Sequence, residues 1–196
     1  VGTDLGIGLF ELAARQDAAR FVVSGQATAG APSWPNGCHV AEVEIDPQTG
    51  HVAVVAYASV NDIGRIVSPG IVRGQIEGGA AQGIGQALCE KISYDADSGQ
   101  LLSASYMDYA MPRVDGFTDF KTAFDESVPC LTNGLGAKGV GELGTIGATP
   151  AVVNAVVDAL ASQGLARRAE QIQMPLTSEA VWRALQGDLP APLGLG

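Results

Sequence analysis

The sequence of 196 residues predicts an α+β fold: a hairpin-rich sheet packed with a glycine-bearing helix and two C-terminal helices. One segment alternates apolar and polar residues with period two, the segment after it is an apolar strand, and later segments have helical periodicity. Strand, helix and strand do not alternate regularly, which argues against a doubly wound sheet. We expect residues 1–36 to form an irregular segment with a cut end, residues 37–187 a domain, and residues 188–196 a flexible tail.

The first half of the predicted sheet is a hairpin. Residues 40–45 alternate apolar and polar side chains, and residues 51–60 return as an apolar strand. Residues 46–50 contain the Pro and Gly of a tight turn. Upstream, residues 9–15 predict a short helix and residues 21–23 a possible strand.

The stretch 70–91 predicts a long helix. Pro69 suits the first helical position and Ser68 precedes it as N-cap. Its apolar positions recur every four or five residues: Ile71, Ile76, Ala80, Ile84 and Leu88. Its interior glycines are Gly74, Gly78, Gly79, Gly83 and Gly85. Because each glycine costs about 1 kcal/mol relative to alanine, we expect this helix to pack closely against another backbone or a ligand.

Beyond this helix the pattern is more broken. Residues 94–100 predict a second hairpin turn, residues 101–107 a strand, and residues 120–124 another short strand. Residues 133–149 are predicted to form a glycine-rich loop. Pro150 then opens a helix over 150–163 that Gly164 ends, and a last helix covers 178–186.

Composition excludes several classes of function. The net charge of −10 opposes a nucleic-acid or anionic-membrane partner, and no apolar run approaches the roughly 18–20 residues of a membrane span. Three separated cysteines without a CxxC pair, with only two histidines, oppose a disulfide framework or a structural zinc site. We therefore expect a cytoplasmic protein whose side chains ligate no metal.

The loop at residues 134–147 has six glycines in fourteen residues, so backbone N–H groups can converge on a ligand. One reading is a dinucleotide fingerprint, since residues 139–144 match GxGxxG, but a preceding strand and a suitable acidic residue are missing. A second is a connection without chemistry. A third is a free-standing module that binds a small ligand or anion. A fourth rests on Glu142, an acidic side chain among small apolar residues that could act as a general base.

Three motifs carry a resemblance to a known family. They are GQIEGGAAQGIG at residues 74–85, MDYAMP at 107–112, and AKGVGE at 137–142, the last followed by GTIGATPAVVNA at 144–155. In this order they resemble the C-terminal part of the large subunit of the xanthine oxidase family. These molybdenum hydroxylases include aldehyde oxidoreductases, carbon monoxide dehydrogenases and N-heterocycle dehydrogenases. The resemblance extends from about Val40 to Ala184, and it makes residues 37–187 a portion of a molybdopterin-binding domain.

The resemblance implies a role for five residues. The glutamate of the KGVGE motif, here Glu142, stands beside molybdenum in the family as a general base. The glutamine of the glycine-bearing helix, here Gln75, contacts the molybdopterin. Lys138, Gly139 and Gly141 would lie on the same cofactor. The metal is held by the pterin, so no protein ligand to it is expected.

The resemblance also implies cofactors and partners. The cofactor would be molybdopterin, in its cytosine dinucleotide form, carrying molybdenum, and the substrate an aldehyde or an N-heteroaromatic compound. The 2Fe–2S clusters and FAD would be on an iron–sulfur subunit and a FAD subunit. Because the family's large subunit is several times longer, we expect the isolated chain to be inactive without the remaining part of the molybdenum subunit.

Overall fold

The computed structural model describes residues 6–16, 22, 24–117 and 119–187. A short helix, α1 (Leu9–Ala14), precedes two antiparallel strands, β1 (Asn36–Ile45) and β2 (Val52–Asp62). The turn between the strands closes where the Asp46 N–H donates to the His51 carbonyl at 2.9 Å. The predicted hairpin is therefore confirmed. The possible strand at 21–23, apart from residue 22, and the tail at 188–196 lie outside the described residues.

Helix α2 (Pro69–Leu88) follows β2, and strand β3 (Phe120–Asp125) then pairs parallel to β2. The sheet order is β1-β2-β3, so α2 belongs to the crossover between β2 and β3. Ser68 is the N-cap residue, as predicted, but the helix ends at Leu88 rather than at residue 91. Ile71, expected on the apolar stripe, is 67% exposed, and Val72 is buried instead.

Helix α3 (Leu143–Leu160) begins seven residues before the predicted start at Pro150, which lies inside it. Proline lacks the N–H that would continue the helical ladder. The first two turns are nevertheless held by packing, because Gly144 lies directly against the α2 backbone. A π-helical turn (Ala161–Leu165) follows, and Gly164 has the left-handed conformation expected of a helix end, with φ of 79°.

Two further helices follow in the described part of the chain: the short α4 (Ala166–Ala169) and α5 (Ser178–Gln186). Thr177 caps α5, since its Oγ1 accepts from the Ala180 N–H at 3.3 Å. The two predicted C-terminal helices correspond to α3 and α5. The short helix α4 lies between them and was not predicted.

The predicted strand at 101–107 is wrong. Only an isolated bridge joins Tyr94 to Leu101. The chain then turns back at Ser105, whose carbonyl accepts from the Tyr109 N–H at 2.8 Å. Met107 is 93% exposed, so in the described part of the chain no neighbouring strand covers this segment.

The core lies between the inner face of the sheet and helices α2, α3 and α5. Its largest fully buried side chains on α3 are Val152, Val156 and Leu160. The helical run from Leu143 to Ala169 is long and apolar enough, by length and composition alone, to cross a membrane. The core helix of a globular protein has the same properties, and α3 packs in that way against β1 and α2.

Candidate functional site

Helices α2 and α3 approach so closely that their backbones are in contact. A Cβ on Gly83 would lie 2.8 Å from the Thr145 carbonyl, and one on Gly79 would lie 3.1 Å from the Gly144 Cα. Thr145 Oγ1 donates to the Gly79 carbonyl at 3.0 Å, and one turn later Thr149 Oγ1 is 3.2 Å from the Gly83 carbonyl. Close backbone packing therefore accounts for these glycines.

Two glutamines of α2 extend the same pattern. Gln82 Oε1 lies 3.3 Å from Thr145 Oγ1, and Gln86 Oε1 lies 3.2 Å from Thr149 Oγ1. The threonine hydroxyls thus point at paired acceptors one helical turn apart. This interface fixes the start of α3, and with it the position of Glu142.

A cavity of about 470 Å³ opens beside the start of α3. It lies between the glycine loop and the chain that leads into β1, and its walls are mostly apolar. Its lining residues are Ser33, Trp34, Pro35, Gly37, His39, Gly139, Val140, Gly141, Glu142, Leu143, Ile146 and Gly147. Glu142 supplies the single carboxylate of this lining.

Glu142 occupies the N-cap position of α3. Its side chain is exposed, although small apolar residues flank it in the sequence. The reason is geometric: the neighbouring Gly139 and Gly141 contribute no side chains to cover it. The carboxylate stands at the rim of the cavity.

Gly139 and Gly141 adjoin open space, because a Cβ on either would meet no atom of the described chain within 4 Å. Their freedom from contacts contrasts with the packed glycines between α2 and α3. A backbone without side chains beside a carboxylate leaves room for a planar polar group to lie against its N–H groups. The rim therefore fits a bound cofactor, with Glu142 at its end.

Gln75 is exposed on α2, one residue before Ile76. The Ile76 carbonyl abuts Gly144, two residues after Glu142, so the two predicted site residues emerge from adjoining backbone segments. Gln75 does not line the 470 Å³ cavity. Its predicted contact with the cofactor stays a prediction.

Lys138 is engaged in an ion pair. Its Nζ donates to Asp62 Oδ2 at 2.6 Å, and its side chain is only 9% exposed. This hydrogen bond, helped by one from the Gly64 N–H, lowers the pKa of Asp62. The Lys138 N–H also donates to the Ile63 carbonyl at 2.8 Å, so the loop is tied to the end of β2. The ammonium group is thus directed at Asp62, and its predicted contact with the cofactor stays a prediction.

A polar cluster that was not predicted from the sequence lies beneath the cavity and consists of His39, Tyr57, Ser59 and Asn61. The strand register places His39 opposite Ser59, with Tyr57 and Asn61 two residues to either side. His39 Nδ1 lies 2.6 Å from Tyr57 Oη, and His39 Nε2 lies 3.2 Å from Asn61 Oδ1. The β2 members are buried, whereas His39 is half-buried and lines the cavity.

The hydrogen bonds of Asn61 determine where the protons of this cluster lie. Its amide nitrogen faces the Ala123 carbonyl at 3.3 Å, which can only accept. Asn61 Oδ1 is therefore an acceptor, and His39 Nε2 must be its donor. His39 Nδ1 then accepts from the Tyr57 hydroxyl. The imidazole is neutral in this arrangement.

Burial favours the same neutral forms. Desolvation lowers the pKa of His39, and the hydrogen bond with Asn61 offsets only part of that effect. Desolvation also raises the pKa of Tyr57. A signal was present in the sequence: His39, Ser59 and Asn61 are polar residues that fall on the inward phase of two strands whose other inward residues are mainly apolar.

The comparisons with known proteins agree with the fold. Residues 11–117 match the family described as the molybdopterin cofactor-binding domain, and the chain belongs to that family. The matched range includes Gln75 and the polar cluster and ends before Glu142.

Individual relatives are large subunits of molybdenum enzymes. The chain is 43% identical over 163 residues to the nicotine 6-hydroxylase large subunit of Paenarthrobacter nicotinovorans, which covers 82% of this chain and 19% of that protein. It resembles quinoline 2-oxidoreductase from Pseudomonas putida 86 with a TM-score of 0.69 and 41% identity, over 78% of this chain and 18% of that one. It also resembles carbon monoxide dehydrogenase from Oligotropha carboxidovorans, with a TM-score of 0.71 and 31% identity over 78% of this chain and 18% of that one. The chain thus spans about a fifth of the length of such relatives.

Proposed function

We propose that the chain is the C-terminal portion of a molybdenum hydroxylase large subunit that oxidatively hydroxylates an aldehyde or an N-heteroaromatic substrate with water. The observation that carries the proposal is the carboxylate of Glu142 at the rim of an apolar cavity, flanked by glycines that adjoin open space. The relatives named for nicotine and quinoline favour a heteroaromatic substrate.

Each residue of the rim has a proposed part in the reaction. Glu142 takes up the proton of the water-derived nucleophile as general base, an effect worth about 10²–10⁴ in rate. The backbone at Gly139 and Gly141 lies against the pterin, and the Gln75 amide supplies donors and an acceptor to its polar edge. The molybdenum cofactor, when bound, supplies the oxidising centre.

Turnover also requires parts that this chain does not contain. The relatives are about four times as long as this chain, and one is named as subunit gamma of a dehydrogenase complex. We therefore propose that the rest of the molybdenum subunit completes the cofactor site, that the pterin carries a cytosine dinucleotide, and that partner subunits bear 2Fe–2S clusters and FAD. The isolated chain should be inactive and contain no stoichiometric molybdenum.

The decisive variant is Glu142→Gln in the assembled enzyme. It removes the proton acceptor but keeps the size of the side chain, so turnover should fall by about 10²–10⁴ while molybdenum content is unchanged. Glu44→Gln, an exposed carboxylate on β1, is the matched control and should retain full turnover. Full turnover in Glu142→Gln would exclude the role of general base.

The free-standing module is separated from this proposal by calorimetry of the purified chain with nucleotides. We expect that no nucleotide binds the purified chain with a sub-micromolar dissociation constant. Tight binding of a nucleotide by the chain alone would instead favour the anion-binding module that the glycine loop permits.

A further inference from the structure

His39 lies directly beneath the first two turns of α3. Its ring occupies the space that Gly147 leaves open, since a Cβ at that position would lie 2.6 Å from the ring atoms. One turn earlier, Leu143 is at ordinary contact distance from Gly37: a Cβ on Gly37 would lie 3.5 Å from Leu143 Cδ2. The beginning of β1 therefore packs against the beginning of α3, most tightly where His39 meets Gly147.

We infer that His39 is a positioning residue for Glu142: held by Tyr57 and Asn61, it supports the first turns of α3 and so sets where the carboxylate stands at the cavity. The inference rests on the proposed role of Glu142. It follows from placement, because the His39 ring and the Glu142 carboxylate line the same cavity from its floor and its rim.

A ring bonded through both nitrogens is fixed in orientation. Tyr57 holds one edge of His39 and Asn61 the other, and Asn61 in turn is bonded to Ser59 Oγ at 3.0 Å and to the Ala123 carbonyl. The imidazole is thereby tied to β2 and β3. An apolar ring in its place would leave the Tyr57 hydroxyl and Asn61 Oδ1 without partners, which is unfavourable in a buried site.

Protonation would disturb this arrangement. An added proton goes to Nδ1, where the Tyr57 hydroxyl already donates, so the hydroxyl must find another acceptor. Of the titratable groups around His39, Tyr57 from β2 is bonded to the ring, and Glu142 from the start of α3 lines the same cavity. Because burial lowers the pKa of His39, the neutral cluster persists below pH 6.5 and is lost on further acidification.

Two variants test the inference in the assembled enzyme. His39→Phe keeps a ring but loses both hydrogen bonds, and kcat should fall about 10- to 100-fold with KM unchanged, the scale expected when a catalytic group is misplaced by about 1 Å. His39→Gln offers one donor and one acceptor and should restore most of the turnover. His51→Gln, at the other histidine, is the control and should retain full turnover. Full turnover in His39→Phe would overturn the inference.

A second measurement needs neither cofactor nor turnover. In the purified, unmodified chain, NMR should show the His39 ring titrating with a midpoint below 6.5. The backbone amides of residues 141–147 should shift with the same midpoint, and this shift should be absent in His39→Gln. Amides that stay constant while His39 titrates would contradict a positioning role, even if His39→Phe fails to fold.

The two proposals fail separately. Should Glu142→Gln retain full turnover, the proposed function fails, whereas the amide titration still reports whether His39 and the start of α3 are coupled. Should Glu142→Gln lose turnover while His39→Phe keeps it, only the positioning role fails.

Discussion

The glycines between α2 and α3 and the glycines of the cavity rim have opposite surroundings. At Gly83 and Gly144, a single added carbon would collide with the backbone or side chains of the facing helix. At Gly139 and Gly141, the same carbon would meet nothing within 4 Å. Packing within the described chain therefore explains why Gly83 and Gly144 are glycines, but it does not explain Gly139 and Gly141.

The difference distinguishes glycines that serve the packing of the fold from glycines at the candidate site. A glycine costs about 0.5–1 kcal/mol in a helix relative to alanine, and the α2–α3 interface regains this through close packing and threonine hydrogen bonds. At the rim, no contact within the described chain requires glycine. The space beside the rim glycines is therefore available to a group from outside the chain, and we propose that this group is the cofactor.

Gly144→Ala should have the largest effect on stability. Its new methyl group would collide with the Ile76 carbonyl and lie 2.8 Å from the Ala80 nitrogen. Overpacking of this kind costs about 2–3 kcal/mol, so the melting temperature of the purified chain should fall by roughly 5–10 °C. Differential scanning calorimetry measures the change.

Gly78→Ala is the matched control on α2. A Cβ there would meet no atom within 4 Å, so the substitution should raise the melting temperature slightly through better helix propensity. Equal melting temperatures for the two variants would show that the close approach of α2 and α3 does not exist in solution.

Lys138→Met comes next and tests whether this side chain belongs to the scaffold or the site. Removing a charged hydrogen-bonding partner of a largely buried carboxylate should cost about 2 kcal/mol, which lowers the melting temperature by roughly 4–8 °C. The exposed Lys121→Met on β3 should change it by less than about 2 °C. An unchanged melting temperature with lost cofactor would instead place Lys138 in the site.

The pH dependence of this effect follows from Asp62. Lys138 lowers the pKa of Asp62 in the folded state, so the stabilisation is fully present above the unfolded value of 3.8. It is lost as the pH falls through the lower folded value. The difference between Lys138→Met and the unaltered chain should therefore be complete at pH 7 and shrink below pH 3.8.

Local patterns predicted the hairpin and most of α2, but they failed at residues 101–107, where the described chain forms only an isolated bridge. The hairpin follows from period-two alternation, and α2 follows from Ser68, Pro69 and its apolar spacing. The start of α3 could not be predicted in this way. Pro150 is typical of a first helical turn, whereas the actual first turns are stabilised by contact between Gly144 and α2, far away in sequence.

The site divides in the same manner. Glu142 could be singled out because an acidic residue inside a glycine motif is visible in the sequence, and its chemical role remains a prediction. The exposure of its side chain depends on which residues lie around it in the folded chain, and the sequence alone does not show this. The pairing of Lys138 with Asp62, and of His39 with Tyr57 and Asn61, joins residues on different elements, so only the fold brings them together.

Thr145→Val tests the interface between α2 and α3 and should have a smaller effect on the melting temperature. Valine keeps the shape of the side chain but loses the hydrogen bonds to the Gly79 carbonyl and Gln82. One such bond contributes about 0.5–1.5 kcal/mol, so the melting temperature should fall by roughly 1–5 °C. Thr122→Val on β3, whose hydroxyl has no hydrogen-bonding partner among the described residues, should leave it unchanged.

Gly139→Ala should have the smallest effect on stability and tests the other half of the comparison. Because a Cβ there meets open space, the melting temperature of the purified chain should change by less than about 2 °C, equivalent to about 0.5 kcal/mol. In the assembled enzyme, however, the methyl group would enter the space assigned to the pterin. The ratio of molybdenum to protein should therefore fall. Gly116→Ala, also at an open glycine, should change neither quantity. If Gly139→Ala retains full molybdenum content and full turnover, the open space at the rim is not the cofactor site, and the glycine loop is a connection without chemistry.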